Sequence, residues 1–140
     1  MRRETRRGTT LPETLLVLTL LGVLAGLALP PLGRLDDHAA VLAARETLIG
    51  RVVEARSLAA EAGGATLVVR SDPGSTFLVV GADTVRRAPL GVDGVRVDRA
   101  ADLDFDAMGL GRFANATLRL TRGSASASVV VSAYGRPGRR

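Results

Sequence analysis

Few residues of this sequence have the types and spacing that catalysis or metal binding requires. Cysteine is absent and His38 is the one histidine, which excludes disulfides, zinc–cysteine sites, thiol nucleophiles and multi-histidine metal centres. Asp36 and Asp37 adjoin His38, but residues one or two positions apart on a helix do not face one another. The sequence therefore predicts no catalytic centre, and we expect the protein not to be an enzyme.

Three closely spaced carboxylates form a second candidate. Asp102, Asp104 and Asp106 alternate with Leu103 and Phe105, so the carboxylates share one face of a predicted strand and the apolar side chains share the other. Calcium prefers carboxylate ligands, but the acidic residue that an EF-hand needs at its twelfth position is missing. We interpret the cluster as a solvated strand face, and the sequence predicts neither a metal nor a cofactor.

The basic residues are all arginines, and they are concentrated near the ends of the sequence. The formal net charge is +5, and without residues 1–8, which hold four arginines and one glutamate, it falls to +2. The charge is thus mostly a property of this leading segment and not a whole-domain signature of nucleic-acid binding. Three Phe, one Tyr and no Trp also provide no stacking platform for single-stranded nucleic acid.

An uncharged stretch follows the leading arginines. Residues 14–33 number 20, and as a helix they would span roughly 30 Å, the thickness of a bilayer core. Basic residues before such a span place the N-terminus in the cytoplasm. Glu13 lies at the start of the stretch, where a lone carboxylate costs about 2.5–3.5 kcal/mol and requires a partner. A simpler interpretation is a helix-start carboxylate favoured by the helix dipole.

Residues 6–13 resemble the class III signal of type IV pilins and type II secretion pseudopilins. In that family a basic leader ends in glycine, cleavage follows it, and a glutamate is fifth in the mature chain. Cleavage after Gly8 makes Thr9 the first residue and Glu13 the fifth, and Pro30 then matches the helix-kinking proline at mature position 22. The resemblance implies cleavage between Gly8 and Thr9 by a prepilin peptidase, N-methylation of Thr9, an assembly role for Glu13 and a kink at Pro30.

Two residues depart from the pattern of that family. Thr9 stands where phenylalanine is usual, so the residue whose amine would be methylated differs from that of the family. Pro12 stands where an aliphatic residue is commoner. Proline is tolerated in the first turn of a helix, because its missing N–H would be unpaired there. An ordinary secretory signal peptide is the alternative, with cleavage after Ala28 releasing a soluble secreted β-domain. Pro12 and Glu13 fit that alternative poorly.

The rest of the chain predicts one long helix followed by strands. Pro30 and Pro31 should bend or interrupt the helix, and an apolar stripe then continues to Ala62, where Gly63 and Gly64 end it. The stripe comprises Val41, Leu48, Val52, Ala55 and Ala59, with Leu42, Ile49 and Val53 beside it as core packing. Alternating Val- and Leu-rich segments between turns predict strands at 66–70, 76–81, 94–98, 103–106, 116–121 and 127–133.

The predicted fold class is α+β, a long N-terminal (transmembrane) α-helix packed on a small antiparallel β-sheet or sandwich head. Its predicted parts are a removed leader at 1–8, a transmembrane helix half at 9–33, an amphipathic helix half at 34–62 and a β-rich head at 65–140. The head resembles the H-type minor pseudopilins and their fimbrial-biogenesis relatives (the GspH/FimT family). That likeness depends on Phe105, Asp106 and Gly109 and on residues 129–136.

The resemblance implies a minor, tip-proximal subunit of a type II secretion pseudopilus or a type IV pilus, acting in assembly and protein secretion. The implied partners are the prepilin peptidase, other major and minor pilins or pseudopilins, and the inner-membrane assembly platform. The implied location is a single pass through the inner membrane with a periplasmic head, followed by the fibre. As an alternative, a DNA-uptake pilin would bind DNA through Arg136, Arg139 and Arg140, although such a terminal cluster is often only a solubilising tail.

Overall fold

The computed structural model describes residues 10–71, 74–91, 94–112 and 114–140, except for the side chains of residues 28–32. The predicted leader and the cleavage site at Gly8 and Thr9 lie outside the described residues, as do the side chains of Ala28 and Pro30. The chain divides into two units, Met1–Gly33 and Arg34–Arg140.

Helix α1, Leu11–Ala62, begins in the first unit and ends in the second. It continues through Pro30 and Pro31, so the helix is not interrupted there, and the kink at Pro30 stays a prediction. Among the described residues, no helix is both long enough and apolar enough to cross a membrane. The predicted span at 14–33 includes side chains outside the described set and stays a prediction.

In the second unit, α1 presents one buried face. The side chains predicted to form the apolar stripe are all buried, and the small residues Ala40 and Ala44 extend the same face. Of the adjacent stripe, Leu42 and Ile49 pack against the core, whereas Val53 is half exposed. The helix ends at Ala62 because Gly63 adopts a positive φ of 83°, a conformation that favours glycine. The stripe and the helix end are therefore confirmed.

Within the described ranges, nine strands follow the helix and form two antiparallel sheets. The five-stranded sheet has the order β3-β2-β1-β5-β6, and the four-stranded sheet has the order β4-β7-β8-β9. The strands are β1 Gly64–Arg70, β2 Ser75–Val80, β3 Asp83–Pro89, β4 Arg96–Val97, β5 Ala101–Asp106, β6 Gly111–Arg112, β7 Ala116–Arg122, β8 Ala125–Val131 and β9 Pro137–Arg139. Apolar side chains from both sheets and the buried face of α1 form one core. The predicted α+β fold class is confirmed.

Three strands were not predicted from the sequence. The sequence of strand β3 does not alternate between apolar and polar residues, and all but one of its residues are exposed. It is an edge strand and pairs with β2. Strands β6 and β9 are only two and three residues long, too short for a periodic signal. Strand β9 lies within the terminal arginine cluster and pairs with β8.

Candidate functional site

Glu13 lies in the first turn of α1 and contributes to its N-cap. Its carboxylate accepts a hydrogen bond from the backbone N–H of Thr10 at 3.4 Å, and the Thr10 carbonyl accepts from the backbone N–H groups of Glu13 and Thr14. This return contact is half of a capping box. Residues 10–33 contain no basic side chain, so no cation within the described part of the first unit neutralises Glu13.

The helix that follows Glu13 is apolar on every side. Ten large apolar side chains are at least half exposed: Leu11, Leu15, Leu16, Val17, Leu18, Leu20, Leu21, Val23, Leu24 and Leu27. A uniformly apolar helix needs an apolar environment all round, and exposed apolar surface of this extent indicates contact with lipid or with another protein. Together, Glu13 and this surface are the candidate assembly site.

The three aspartates of β5 each have a separate protein partner. Thr66 donates its hydroxyl to Asp104 at 2.6 Å, and Arg70 pairs with Asp102 at 3.4 Å. Asp106 accepts from the backbone N–H groups of Met108 and Leu110, and thereby closes the turn to β6. Within the described ranges no three acidic or histidine side chains converge on a metal site.

The turn after Asp106 is fixed against α1. Gly109 has a φ of +66°, and a Cβ built there would lie 3.0 Å from the Arg56 carbonyl oxygen. The Nε–H of Arg56 in turn donates to the Gly109 carbonyl at 2.9 Å. Of the residues on which the subgroup resemblance depends, Gly109 thus joins the sheet to the helix, and Asp106 closes the turn that carries it.

A broad depression of about 740 Å³ lies where α1 ends, with Gly63, Asp104 and Arg112 among its lining residues. Asp104 already accepts a hydrogen bond from Thr66.

The remaining candidate, His38, is exposed on α1. Neither feature assembles a nucleophile and a base.

The C-terminal arginines do not act as one cluster. Arg139 donates to both carboxylate oxygens of Glu46 on α1, at 3.0 and 2.7 Å. Arg140 exchanges backbone hydrogen bonds with Ser128 of β8, and the backbone N–H of Arg136 donates to the Ser132 hydroxyl. The hydrogen bonds from Arg139 lower the pKa of Glu46 from 4.5 to about 2, against a smaller opposing effect of desolvation.

Three more ion pairs connect α1 to the strands. Arg122 of β7 bonds Asp36 at 2.9 Å and Asp37 at 3.3 Å, and Arg86 of β3 bonds Glu54 at 2.7 Å. Sequence reasoning missed these contacts, because their partners are far apart in the chain and no local periodicity connects them.

The Glu46–Arg139 pair predicts a specific pH dependence of stability. Because the pKa of Glu46 is lower in the folded chain than in the unfolded one, its contribution is complete above about pH 5 and is lost as pH falls toward 2. We expect Glu46→Gln to lower the melting temperature at pH 6, and this difference to shrink and disappear near pH 2. Circular-dichroism melting of the full chain in neutral detergent, at several pH values, measures this difference in melting temperature.

Arg139→Gln is the matched control, because it removes the same pair from the other side. It should reproduce the larger part of the pH-dependent loss, because Arg45 still bonds Glu46 at 3.1 Å, and the double variant should be no less stable than Glu46→Gln alone. A melting difference that stays constant from pH 7 to pH 2 would contradict this assignment.

Comparison with known proteins identifies the family. The sequence is 37% identical, over 154 aligned positions, to the pilin-like protein PilA1 of Thermus thermophilus, and the match covers 94% of this chain and 97% of that relative. The chain belongs to the pilin-like proteins. The fold of this pilin-like protein is similar to that of the type IV minor pilin FimU of Pseudomonas aeruginosa in its crystal structure, with a TM-score of 0.59. That likeness covers 71% of this chain and 87% of FimU at 16% identity, and concerns the fold alone.

No family model matches the chain. The resemblance to pilins inferred from Gly8, Glu13 and Pro30 is nevertheless confirmed at the level of the family, as is the α+β fold. The pilin-like assignment explains why the described residues offer an apolar helix and a β head.

Proposed function

We propose that this pilin-like protein is a minor subunit of a type IV pilus or of a type II secretion pseudopilus. The observation that carries the proposal is the helix from Leu11 to Leu27, whose large side chains are exposed on every side and which begins at a carboxylate. Its function is structural, since assembly needs a surface that exchanges one apolar environment for another and needs no catalytic group.

The helix first holds the protein in the inner membrane, with the leading arginines in the cytoplasm and the head in the periplasm. The prepilin peptidase then cleaves between Gly8 and Thr9, and N-methylation at Thr9 completes processing. In the fibre, residues 14–33 exchange lipid contacts for contacts with the helices of other subunits, with Pro30 bending the helix. The inner-membrane assembly platform delivers the processed chain.

Glu13 sets the register of this assembly. Cleavage creates an α-amine at Thr9, which is mostly a cation at neutral pH because its reference pKa is about 8. A carboxylate and an amine of neighbouring subunits stabilise one another in an apolar environment, where each alone is costly. The capping contact of Glu13 with Thr10, at 3.4 Å, is long and leaves the charge itself uncompensated.

Within this proposal the chain is a tip-proximal subunit of the H-type (GspH/FimT) subgroup. The subgroup assignment is supported by the docked turn at Asp106 and Gly109. The DNA-uptake alternative through Arg136, Arg139 and Arg140 is less favoured, because Glu46 already binds Arg139. The secreted alternative, with cleavage after Ala28, would discard the apolar helix and leave Glu13 without a role.

Recovery of the chain from sheared surface fibres tests the proposal. We expect the protein in the sheared fraction of cells with an intact assembly motor and in the membrane fraction of cells without one. A chain found only in the culture medium, equally in both strains, would contradict the proposal and favour the secreted alternative.

A further inference from the structure

Two turns of the head contact each other at a pair of glycines. Gly111 ends the turn after β5, and Gly135 lies in the turn after β8. A Cβ built on Gly111 would lie 2.9 Å from the backbone nitrogen of Gly135, and one built on Gly135 would lie 3.1 Å from the backbone nitrogen of Gly111. Residues with side chains would hold the two backbones further apart. The contact therefore places the two turns side by side on one surface of the head.

Each of these glycines stands between a large apolar residue and an arginine. Residues 110–112 are Leu-Gly-Arg, and residues 134–136 are Tyr-Gly-Arg. Tyr134 is 70% exposed and Leu110 is 37% exposed, and Met108 in the first turn is 78% exposed. We call the apolar residues and arginines of the two turns the two-turn surface: Met108, Leu110, Arg112, Tyr134 and Arg136.

The positive charges of the two-turn surface have no partner in the described parts of the chain. Arg112 and Arg136 are both exposed, and neither is among the arginines that form salt bridges there. Arg136 is bonded through its backbone N–H, which donates to the Ser132 hydroxyl at 3.1 Å, so its guanidinium is left for another group. A carboxylate is the group that a guanidinium binds most specifically in a protein partner.

Both turns are ordered by hydrogen bonds before any partner binds. In the second turn the backbone N–H of Gly135 donates to the Ser132 carbonyl at 2.8 Å, and the first turn is held to α1 by the bond between Arg56 and Gly109. A surface that is already ordered loses less conformational entropy on binding. Tyrosine, methionine and arginine are also the residues that protein–protein interfaces favour. The two-turn surface therefore has the composition and the order of a protein-binding surface.

The depression at the end of α1 has the complementary charge. Asp104 and Asp106 are among its lining residues, and the exposed residues Glu61 and Asp83 lie within two positions of others. In the described parts of the chain, neither Glu61 nor Asp83 forms a salt bridge. The last turn of α1 contains no basic residue, so the partial negative charge of the helix C-terminus adds to that of the carboxylates. This concave surface is acidic, whereas the two-turn surface is apolar and basic.

We propose that the two-turn surface binds the acidic depression of a second copy of this chain. Tyr134 enters the depression, whose wall includes Val79 and Val80, and Arg136 pairs with its carboxylates. Arg112 lines the depression and also belongs to the two-turn surface, so the two surfaces adjoin. Adjoining complementary surfaces allow the contact to form twice about a two-fold axis, the commonest symmetry of homodimers. The inference concerns the head alone and does not depend on incorporation into a fibre.

Sedimentation equilibrium of the full chain, in a density-matched neutral detergent at low salt, tests this proposal. The wild type should dimerise at micromolar concentration. Tyr134→Ala should raise the dissociation constant of the dimer by about thirtyfold, which corresponds to ~2 kcal/mol for truncation of an aromatic anchor. Leu35→Ala is the matched control, because Leu35 is 65% exposed and lies roughly 40 Å along α1 from Glu61. Its dissociation constant should stay within about twofold of the wild-type value.

Charge reversal tests the pairing of the two surfaces. Arg112→Glu with Arg136→Glu makes the two-turn surface acidic, and Glu61→Arg with Asp83→Arg makes the depression basic. Each double variant should be monomeric on its own, because its two surfaces then carry the same charge. An equimolar mixture of the two double variants should dimerise again, since each reversed surface then faces a surface of opposite charge.

A wild-type chain that stays monomeric would overturn the proposal, and so would a mixture of the double variants that stays monomeric. A dimer that persists in Tyr134→Ala and in both double variants would also overturn it, because the association would then belong to the apolar part of α1. Equal weakening by Leu35→Ala and Tyr134→Ala would have the same consequence.

Discussion

Replacing Glu13 by valine should leave the protein processed and inserted in the membrane but absent from the fibre. A carboxylate that pairs with the Thr9 amine of a neighbouring subunit is buried in an apolar environment, and removing one partner of such a pair costs about 3–5 kcal/mol. That cost corresponds to a decrease of more than a hundredfold in the association constant. Immunoblots of membrane and sheared-fibre fractions, loaded for equal total protein, measure the ratio of the chain in the fibre fraction to the chain in the membrane fraction.

Glu13→Gln separates the two roles that the structure allows for this residue. The amide oxygen of glutamine still accepts the hydrogen bond from the Thr10 backbone that Glu13 accepts at 3.4 Å, but its charge is gone. If the charge pair drives assembly, Glu13→Gln fails to enter the fibre like Glu13→Val. If Glu13 only caps the helix, Glu13→Gln assembles normally, and the assembly role is rejected.

The second large effect concerns processing. Gly8→Val should leave the leader attached, because the residue before the cut fits a tight peptidase site and valine adds a branched side chain at that position. The unprocessed chain should appear on a gel as a band heavier by the eight leader residues, and it should stay in the membrane fraction. Normal processing of this variant would contradict cleavage after Gly8.

A control excludes a general effect of valine near the leader. Thr5→Val places the same side chain within the leader, away from the cleaved bond, and should be processed like the wild type. Retention of the leader in both variants would show that the segment as a whole was disturbed, and would leave the Gly8 prediction unsupported.

The helical part of the fold was predictable because its signals are local. The spacing of Val41, Leu48 and Val52 identifies a helix face from the sequence alone, and the structure buries all three. Gly63 gives the helix end, because few other residues adopt its positive φ readily. The alternation of Leu118 and Leu120 with polar residues likewise identifies β7.

The contacts that hold the sheets to the helix were not predictable. Glu46 and Arg139 are 93 positions apart, and nothing in their local sequence indicates that they meet. Their pairing requires strand β9, which contains a proline and a glycine and is held in the sheet by antiparallel pairing with β8.

Determining the first residue of the chain recovered from fibres tests the proposed fibre subunit most directly. Mass spectrometry of the N-terminal peptide should find Thr9, with or without a methyl group on its amine, in the sheared fraction. That result joins cleavage after Gly8 to assembly in a single molecule. A chain that begins at Leu29, or one that never reaches the fibre fraction in any processed form, would contradict the account.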